Sequence, residues 1–269
     1  MLDDAIAGTF EENCFDESEL SKLQTKLMRY LSTASMSEKK IQEEKDNLKE
    51  LITNISHQTK TPLTNILMYS ELLTEVAATE QEKEYAGEVF AQGKKLESLI
   101  EALVKMSRLE TGIFQYQKKE TAYREIIHKA VEQALPKASE KNISILVRDV
   151  GRYRSYVDEK WVIEAVYNIL DNGIKYSGEG TTVYIEEFSY DFFSGIRITD
   201  QGIGISEEEI PLLFGRFYRG RSAHDKEGIG VGLFLAREIV ENNGGYIKVT
   251  SQVGTGSRFD VCFPNISTL

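Results

Sequence analysis

Leu48, Ile52, Ile55, Thr59, Pro62, Ile66, Tyr69, Leu73 and Val76 follow one another in alternating steps of four and three. That is the period of a helical seam in a coiled coil or bundle. The seam weakens at Thr59 and Pro62, where something other than packing sets the residue types. A polar stretch, AATEQEKE, interrupts the pattern, and a second helix follows with Val89, Leu96, Leu99, Ile100, Leu103 and Met106 as its apolar face. Two such helices cannot bury their stripes alone. Joined by a short loop they make an antiparallel hairpin, and two hairpins make a four-helix bundle, so a homodimer is expected. A hairpin packed only on its own chain's other domain fits a heptad run of this length less well. Residues 1–47, with LSKLQTKLMRYL and EKKIQEEKDNLKEL, read as a helical lead-in feeding the first bundle helix.

After SRLETG the pattern changes. Gly112 ends the second helix, and residues 112–119 form a linker that reads as a hinge. From residue 120 onward helical and alternating segments take turns. YREIIHKAVEQAL, WVIEAVYNILDNGIKYS and VGLFLAREIVENNGG are helical, the last stopped at Asn243-Gly244-Gly245. NISILVR, TTVYIEEF, SGIRITD, YIKVTSQ and SRFDVCF read as strands, with Phe259, Val261 and Phe263 on one face. Strands joined largely as hairpins, with helices for one face, predict a two-layer α/β sandwich over 120–269 and not a doubly wound fold. The fold class expected is multidomain, α and α+β: lead-in 1–47, hairpin 48–111, linker 112–119, sandwich 120–269.

Composition narrows the function without changing this picture. A chain of 269 residues is comfortable for two domains, taking about 150 residues per domain. Hydrophobic residues are 41% and charged residues 28%, as in a globular protein. The net charge of -11 argues against nucleic acid as a partner, since phosphate neutralisation needs clustered Lys and Arg. Cys14 and Cys262 match no metal spacing and imply no disulfide framework. No apolar run reaches the ~18 residues of a membrane helix, and no signal peptide opens the chain. The expectation is a soluble, cytoplasmic chain, standing alone or as the cytoplasmic part of a longer membrane sensor.

Two groups of residues carry chemistry. The first is SHQTKTP. With Ile52 and Ile55 on the seam, His57 lies roughly opposite at ~100° per residue and should face solvent. Pro62 lacks the N–H that would bond the Gln58 carbonyl, so a bend is expected there. An exposed imidazole is a good nucleophile near neutral pH. The second group lies in the sandwich. Asn168, Asn172 and Lys175 share one helix face, offering amide oxygens for Mg2+ and an ammonium for phosphate. In DQGIGI, Asp200 can accept from an exocyclic amine such as that of adenine, and Gly202 and Gly204 allow close backbone approach. Gly228, Gly230 and Gly232 lead into a helix N-terminus, a phosphate-binding arrangement. GTGSRF reads as a tight turn between strands. Each piece alone is equally a polar helix face or a turn; their order is what is informative. His128 and His224 read as surface residues.

ISHQTKTPLTNI resembles the phospho-acceptor box of sensor histidine kinases, usually His-acidic-x-x-Thr-Pro-Leu. NILDNGIKYS, DQGIGI, EGIGVGLFLAREIV and GTGSRF resemble, over residues 120–264, the ATP-binding domain shared by those kinases, Hsp90-type chaperones, type II topoisomerases and mismatch-repair ATPases. The resemblance implies autophosphorylation of His57 by ATP and transfer to an aspartate of a response regulator. It implies that Thr61 serves dephosphorylation of that regulator. It further implies Asn172 as the Mg2+ ligand, Asn168 and Lys175 on the phosphates, and Tyr176 beside the base. Asp200 would recognise adenine, with Gly202, Gly204, Gly228, Gly230, Gly232 and Leu233 near the nucleotide and Thr255 at the adenine edge. PLLFGRFYRG is similar to the kinases' phenylalanine-rich box, with Phe214 and Phe217 as apolar anchors and Arg216 and Arg219 toward the terminal phosphate. Gly215 stands where that box usually has an acidic residue, and YRGRSAHDKE reads as a mobile lid.

Gln58 is the main departure, occupying the family's acidic position. Its amide oxygen can fix the tautomer of the imidazole but cannot take a proton, so a weakened autokinase is expected. Two other readings share part of the pattern. An ATP-gated clamp ATPase would use the same nucleotide fold but lacks SHQTKTPL on a dimerising hairpin. A nucleotide-binding adaptor that no longer phosphorylates itself is the reading Gln58 motivates.

Overall fold

The computed structural model describes residues 19–110, 116–148, 151–220 and 229–266. The chain divides into two compact units, Met1–Ile55 and Ser56–Leu269. Described residues of the first are helical, the beginning of α1 (Glu19–Val76). Pro62 lies inside this helix, which continues past it.

In the second unit, α1 turns back into α2 (Glu80–Glu110) through a capping box. Thr79 Oγ1 accepts the Glu82 N–H at 3.2 Å, and Glu82 Oε2 accepts the N–H groups of Ala78 and Thr79, each at 2.9 Å. These bonds, led by the one from the Thr79 backbone, hold the Glu82 carboxyl below its ordinary range. The polar stretch that broke the periodicity is thus the start signal of the second helix.

Leu63, Leu67 and Ser70 of α1 are buried together with Ala86 and Gly93 of α2. A Cβ at Gly93 would lie 2.8 Å from Leu67 Cδ2, so the glycine sets the approach of the two helices. This inner stripe runs beside the predicted seam and is distinct from it. Ile66, Tyr69, Leu73 and Val76 stay 47%, 60%, 57% and 75% exposed, as do much of Val89, Leu96 and Leu103. Met106, read as part of the same apolar face, instead joins the core of the following domain.

That domain begins with β1 (Lys119–Ala122), paired antiparallel with β3 (Arg154–Val157) in a small sheet. The main sheet has β2 (Ser144–Arg148), β4 (Thr182–Ser189), β5 (Phe193–Thr199), β6 (Tyr246–Gln252) and β7 (Gly256–Pro264), in the order β2-β4-β5-β7-β6. Only β2 and β4 run parallel. Their crossover contains α4 (Glu159–Tyr176), which packs beside α3 (Tyr123–Glu140) and α5 (Gly232–Asn242). Alternation in β7 turns Phe259, Val261 and Phe263 inward as predicted, against Ile126, Ile169 and Ile239 of the helices. Asp158 caps α4 by accepting the Trp161 N–H at 3.2 Å. Buried Asn243, at the end of α5, accepts the Asp158 N–H at 2.8 Å and donates to the Ile239 carbonyl at 2.8 Å. One amide therefore joins the start of α4 to the end of α5.

Candidate active site

Helix α4 places Glu164, Asn168, Asn172, Lys175 and Tyr176 on one wall of a cleft of about 390 Å3. Asn168 Nδ2 donates to the Glu164 carbonyl at 2.9 Å, and its Oδ1 lies 3.2 Å from where a Cβ on Gly232 would be. Gly232 opens α5, so this close approach brings the helix N-terminus and its unpaired N–H groups to the asparagine face. Gly230, with φ +76, and Leu233 complete that side. The Lys175 ammonium stands 4.7 Å from the Tyr176 ring centroid.

Asp200 is buried where β5 ends, beside Gly173 of α4, where an added Cβ would lie 3.4 Å from the Asp200 Cβ. Its Oδ1 accepts both the Gly202 N–H at 2.8 Å and the Ser257 N–H at 3.1 Å, leaving Oδ2 with its acceptor capacity. Burial raises the carboxyl above its usual range, and the two backbone bonds oppose that shift. A Cβ at Gly202 would sit 2.8 Å from the Tyr176 carbonyl oxygen, so only glycine lets this turn pack against the end of α4. Gly204, Ile203 and Ile205 also line the cleft. The arrangement has an apolar slot with one oriented acceptor, and beyond it amide oxygens, an ammonium and a helix N-terminus. It can hold a flat base at one end and polyphosphate at the other.

Other expected residues fall elsewhere. Thr255 sits in the β6–β7 turn, its N–H donating to Gln252 at 3.0 Å, and does not line the cleft; Ser257, two residues on, does. Arg219 lines the cleft, whereas exposed Arg216 stacks at 5.0 Å over the Phe234 ring. Phe217 is no apolar anchor: it is 55% exposed with φ +59, while Phe214 lies under the Arg237 guanidinium at 5.7 Å. His128 is exposed, as read from sequence. Gly112, His224, Gly228 and most of the expected lid lie outside the described residues.

Charged lining residues that the sequence does not single out include Lys105, Lys137, Glu164 and Asp171. Lys105 of α2 reaches across to Glu164 at 2.7 Å, and Lys137 of α3 pairs with Asp171. Glu164 could have been found, being one turn before Asn168 on the same face. The lysines carry no such signal, because they meet α4 only through tertiary packing.

Gln58 and Thr61 are exposed on α1. His57 belongs to the same helix, and the expectation that its ring faces solvent lies outside the described side chains. No cluster of His, Cys, Asp and Glu suited to a metal occurs among the described residues.

The helical hairpin and the cleft each match a described family. Residues 47–112 match the His Kinase A (phospho-acceptor) domain. Residues 157–266 match the histidine kinase-, DNA gyrase B-, and HSP90-like ATPase domain. The chain belongs to the sensor histidine kinases.

Its kinase relatives include the sensor-like histidine kinase SenX3 of Mycolicibacterium smegmatis, 30% identical over 219 residues, or 80% of this chain and 57% of SenX3. The autoinducer 2 sensor kinase/phosphatase LuxQ of Vibrio cholerae is 28% identical over 222 residues, 80% of this chain and 26% of LuxQ. The chain thus spans about half the length of one relative and a quarter of the other. Among solved structures, full-length ShkA in complex with AMPPNP shares the fold with a TM-score of 0.66 at 22% identity, over 80% of this chain and 46% of ShkA. The Acinetobacter baumannii histidine kinase AdeS does so with a TM-score of 0.57 at 19% identity, over 78% and 98%. Among the described residues, no helix is long and apolar enough to cross a membrane.

Proposed function

We propose that this chain is an ATP-dependent protein-histidine kinase that phosphorylates His57 and passes the phosphoryl group to an aspartate of a response regulator. The observation that carries the reading is the convergence of Asp200, Asn172, Lys175 and the α5 N-terminus on one cleft, in a chain that also carries a phospho-acceptor hairpin. Asp200 Oδ2 accepts from the adenine amine; guanine would set a carbonyl against it, acceptor against acceptor. Asn168, Lys175, Arg219 and the N–H groups around Gly230 and Gly232 hold the phosphates, and Tyr176 and Leu233 flank the nucleotide. Asn172 would hold Mg2+, which supplies charge neutralisation on the phosphates. A ring nitrogen of His57 then attacks the terminal phosphorus as the bond to ADP breaks. Gln58 accepts from the other ring nitrogen and fixes the tautomer, and Thr61 orients water when the regulator is dephosphorylated.

Residues 48–111 act as the dimerising phosphotransfer hairpin, 112–119 as hinge, 120–269 as the catalytic domain and 1–47 as the signal-transmitting lead-in. The working location is the cytoplasm, on its own or beneath a membrane sensor. Gln58 also favours a second reading, a nucleotide-binding adaptor with little kinase activity. Both are tested by incubation with γ-labelled ATP and Mg2+. Acid-labile label that disappears in His57→Gln and increases in Gln58→Glu is expected. Absence of label in the wild type would remove the kinase reading and leave the adaptor.

A further inference from the structure

The last four carbonyls of an α-helix lack partners within the helix. At the end of α4 all four are accounted for, and two of them by one side chain from another element. The Gly173 carbonyl accepts the Ser177 N–H at 3.1 Å, and the Tyr176 carbonyl accepts the Ile203 N–H at 3.4 Å. The carbonyls of Ile174 and Lys175 accept from Lys141 Nζ at 2.9 and 2.6 Å, and the same ammonium donates to the Ser177 carbonyl at 2.7 Å. Three protons meet three oxygens, at the negative end of the helix dipole.

Lys141 follows α3 and is half-buried, and its backbone N–H donates to the Ala138 carbonyl at the end of that helix. Its neighbour Asn142, at φ +54, accepts the Gly180 N–H at 3.1 Å and donates through Nδ2 to Glu179 at 2.7 Å. The ammonium is therefore held in place by the corner it bridges. From Ser177 the linkage continues into the site. Ser177 forms an antiparallel bridge with Gly202, and the Gly202 N–H is one of the two donors that orient Asp200.

We propose that Lys141 is a positioning residue for nucleotide selection: by closing the end of α4 it sets Tyr176 and the Gly202 turn, and through them the Asp200 carboxylate. The inference rests on the reading of the cleft as an ATP site. Lys141 does not line the cleft, so its effect is on the aim of groups that do. Replacing it takes the donor from three carbonyls, those of Ile174, Lys175 and Ser177, and frees the turn against which Gly202 packs. The Ser257 donor remains, so Asp200 keeps half of its support.

The test measures ATP and GTP binding by calorimetry, with Mg2+, on the full chain and on Lys141→Met. ATP binding is expected to weaken about tenfold, the scale of a lost charge-assisted hydrogen bond. GTP binding should weaken less, so that the preference for ATP shrinks. Unchanged ATP binding, or equal weakening for both nucleotides, overturns the proposal, since a merely structural lysine would not alter the ratio. Lys141→Gln, which keeps amide donors on a shorter stem, serves if the Met variant does not fold, and the same outcomes decide. A wild-type chain that does not bind ATP overturns the functional reading itself, and the role of Lys141 with it.

Discussion

On the proposed reading of the cleft, Asp200 is tuned against stability for binding. Its carboxyl is buried, and burial raises it above the ordinary aspartate range despite two backbone donors. A carboxyl raised in the folded state contributes stability that is fully present below its unfolded pKa and is lost as pH rises through the folded one. At neutral pH the ionised group is therefore a cost to the ligand-free fold. Asn at this position removes the charge yet can still accept from Gly202 and Ser257. Asp200→Asn should melt slightly higher without ligand but bind ATP about ten- to a hundredfold more weakly, as a charged acceptor is lost. In wild type, ATP affinity should fall on acidification at a higher pH than an ordinary aspartate would give, and Asp200→Asn should lack that step while reporting protonation of the nucleotide. Tighter ATP binding by the variant would refute the assignment. Its place at a strand end before a glycine turn is legible in sequence; its burial and its two backbone donors, Gly202 and Ser257, are not. Thr255 misled, since a tight turn does not disclose which of its residues points back: the donor that reaches Asp200 is the Ser257 N–H.

Among elements, α4 and α5 are legible from their amphipathic patterns, α4 with Asp158 at its start and α5 with its stop at Asn243-Gly244-Gly245. Strands β1 and β3 were not, since four residues with only each other for partners carry no useful periodicity. The apolar seam of the first helix is legible but its neighbour is not: Leu63 and Leu67 meet Gly93 of α2, one position beside Pro62 and Ile66. What joins elements was invisible, because it depends on residues far apart in the chain. Asn243 is the clearest case. It reads as a helix stop, but its side chain also accepts from the Asp158 N–H and donates to the Ile239 carbonyl within a buried junction. Asn243→Ala should lower unfolding free energy by about 2–3 kcal/mol, more than a simple C-cap loss, because a buried N–H is left unpaired. Chemical denaturation measures this. A loss within about 0.5 kcal/mol, the range of an ordinary surface change, would mean water replaces the amide there.

At the scale of the molecule, the unexplained feature is the outer surface of the hairpin. Ile66, Tyr69, Leu73 and Val76 on α1, with Val89, Leu96 and Leu103 on α2, form apolar rows that stay exposed among the described residues. Isolated exposed apolar residues need no explanation, but rows at heptad spacing on adjacent helices do. A second hairpin of the same kind would cover them and complete four helices around one core. The inner stripe, with Gly93 holding the two helices close, keeps each hairpin together while the outer rows remain available. The two stripes can therefore be separated by mutation. Tyr69→Glu with Leu73→Glu places two carboxylates in the outer rows and leaves Leu63, Leu67 and Gly93 unchanged. Sedimentation should show the wild-type chain as a dimer and the double variant as a monomer at micromolar concentration. ATP binding should be unchanged, because neither residue lines the cleft. A double variant that still sediments as a dimer would place the subunit contact elsewhere. One that loses ATP binding as well would show that the hairpin and the catalytic domain do not fold independently.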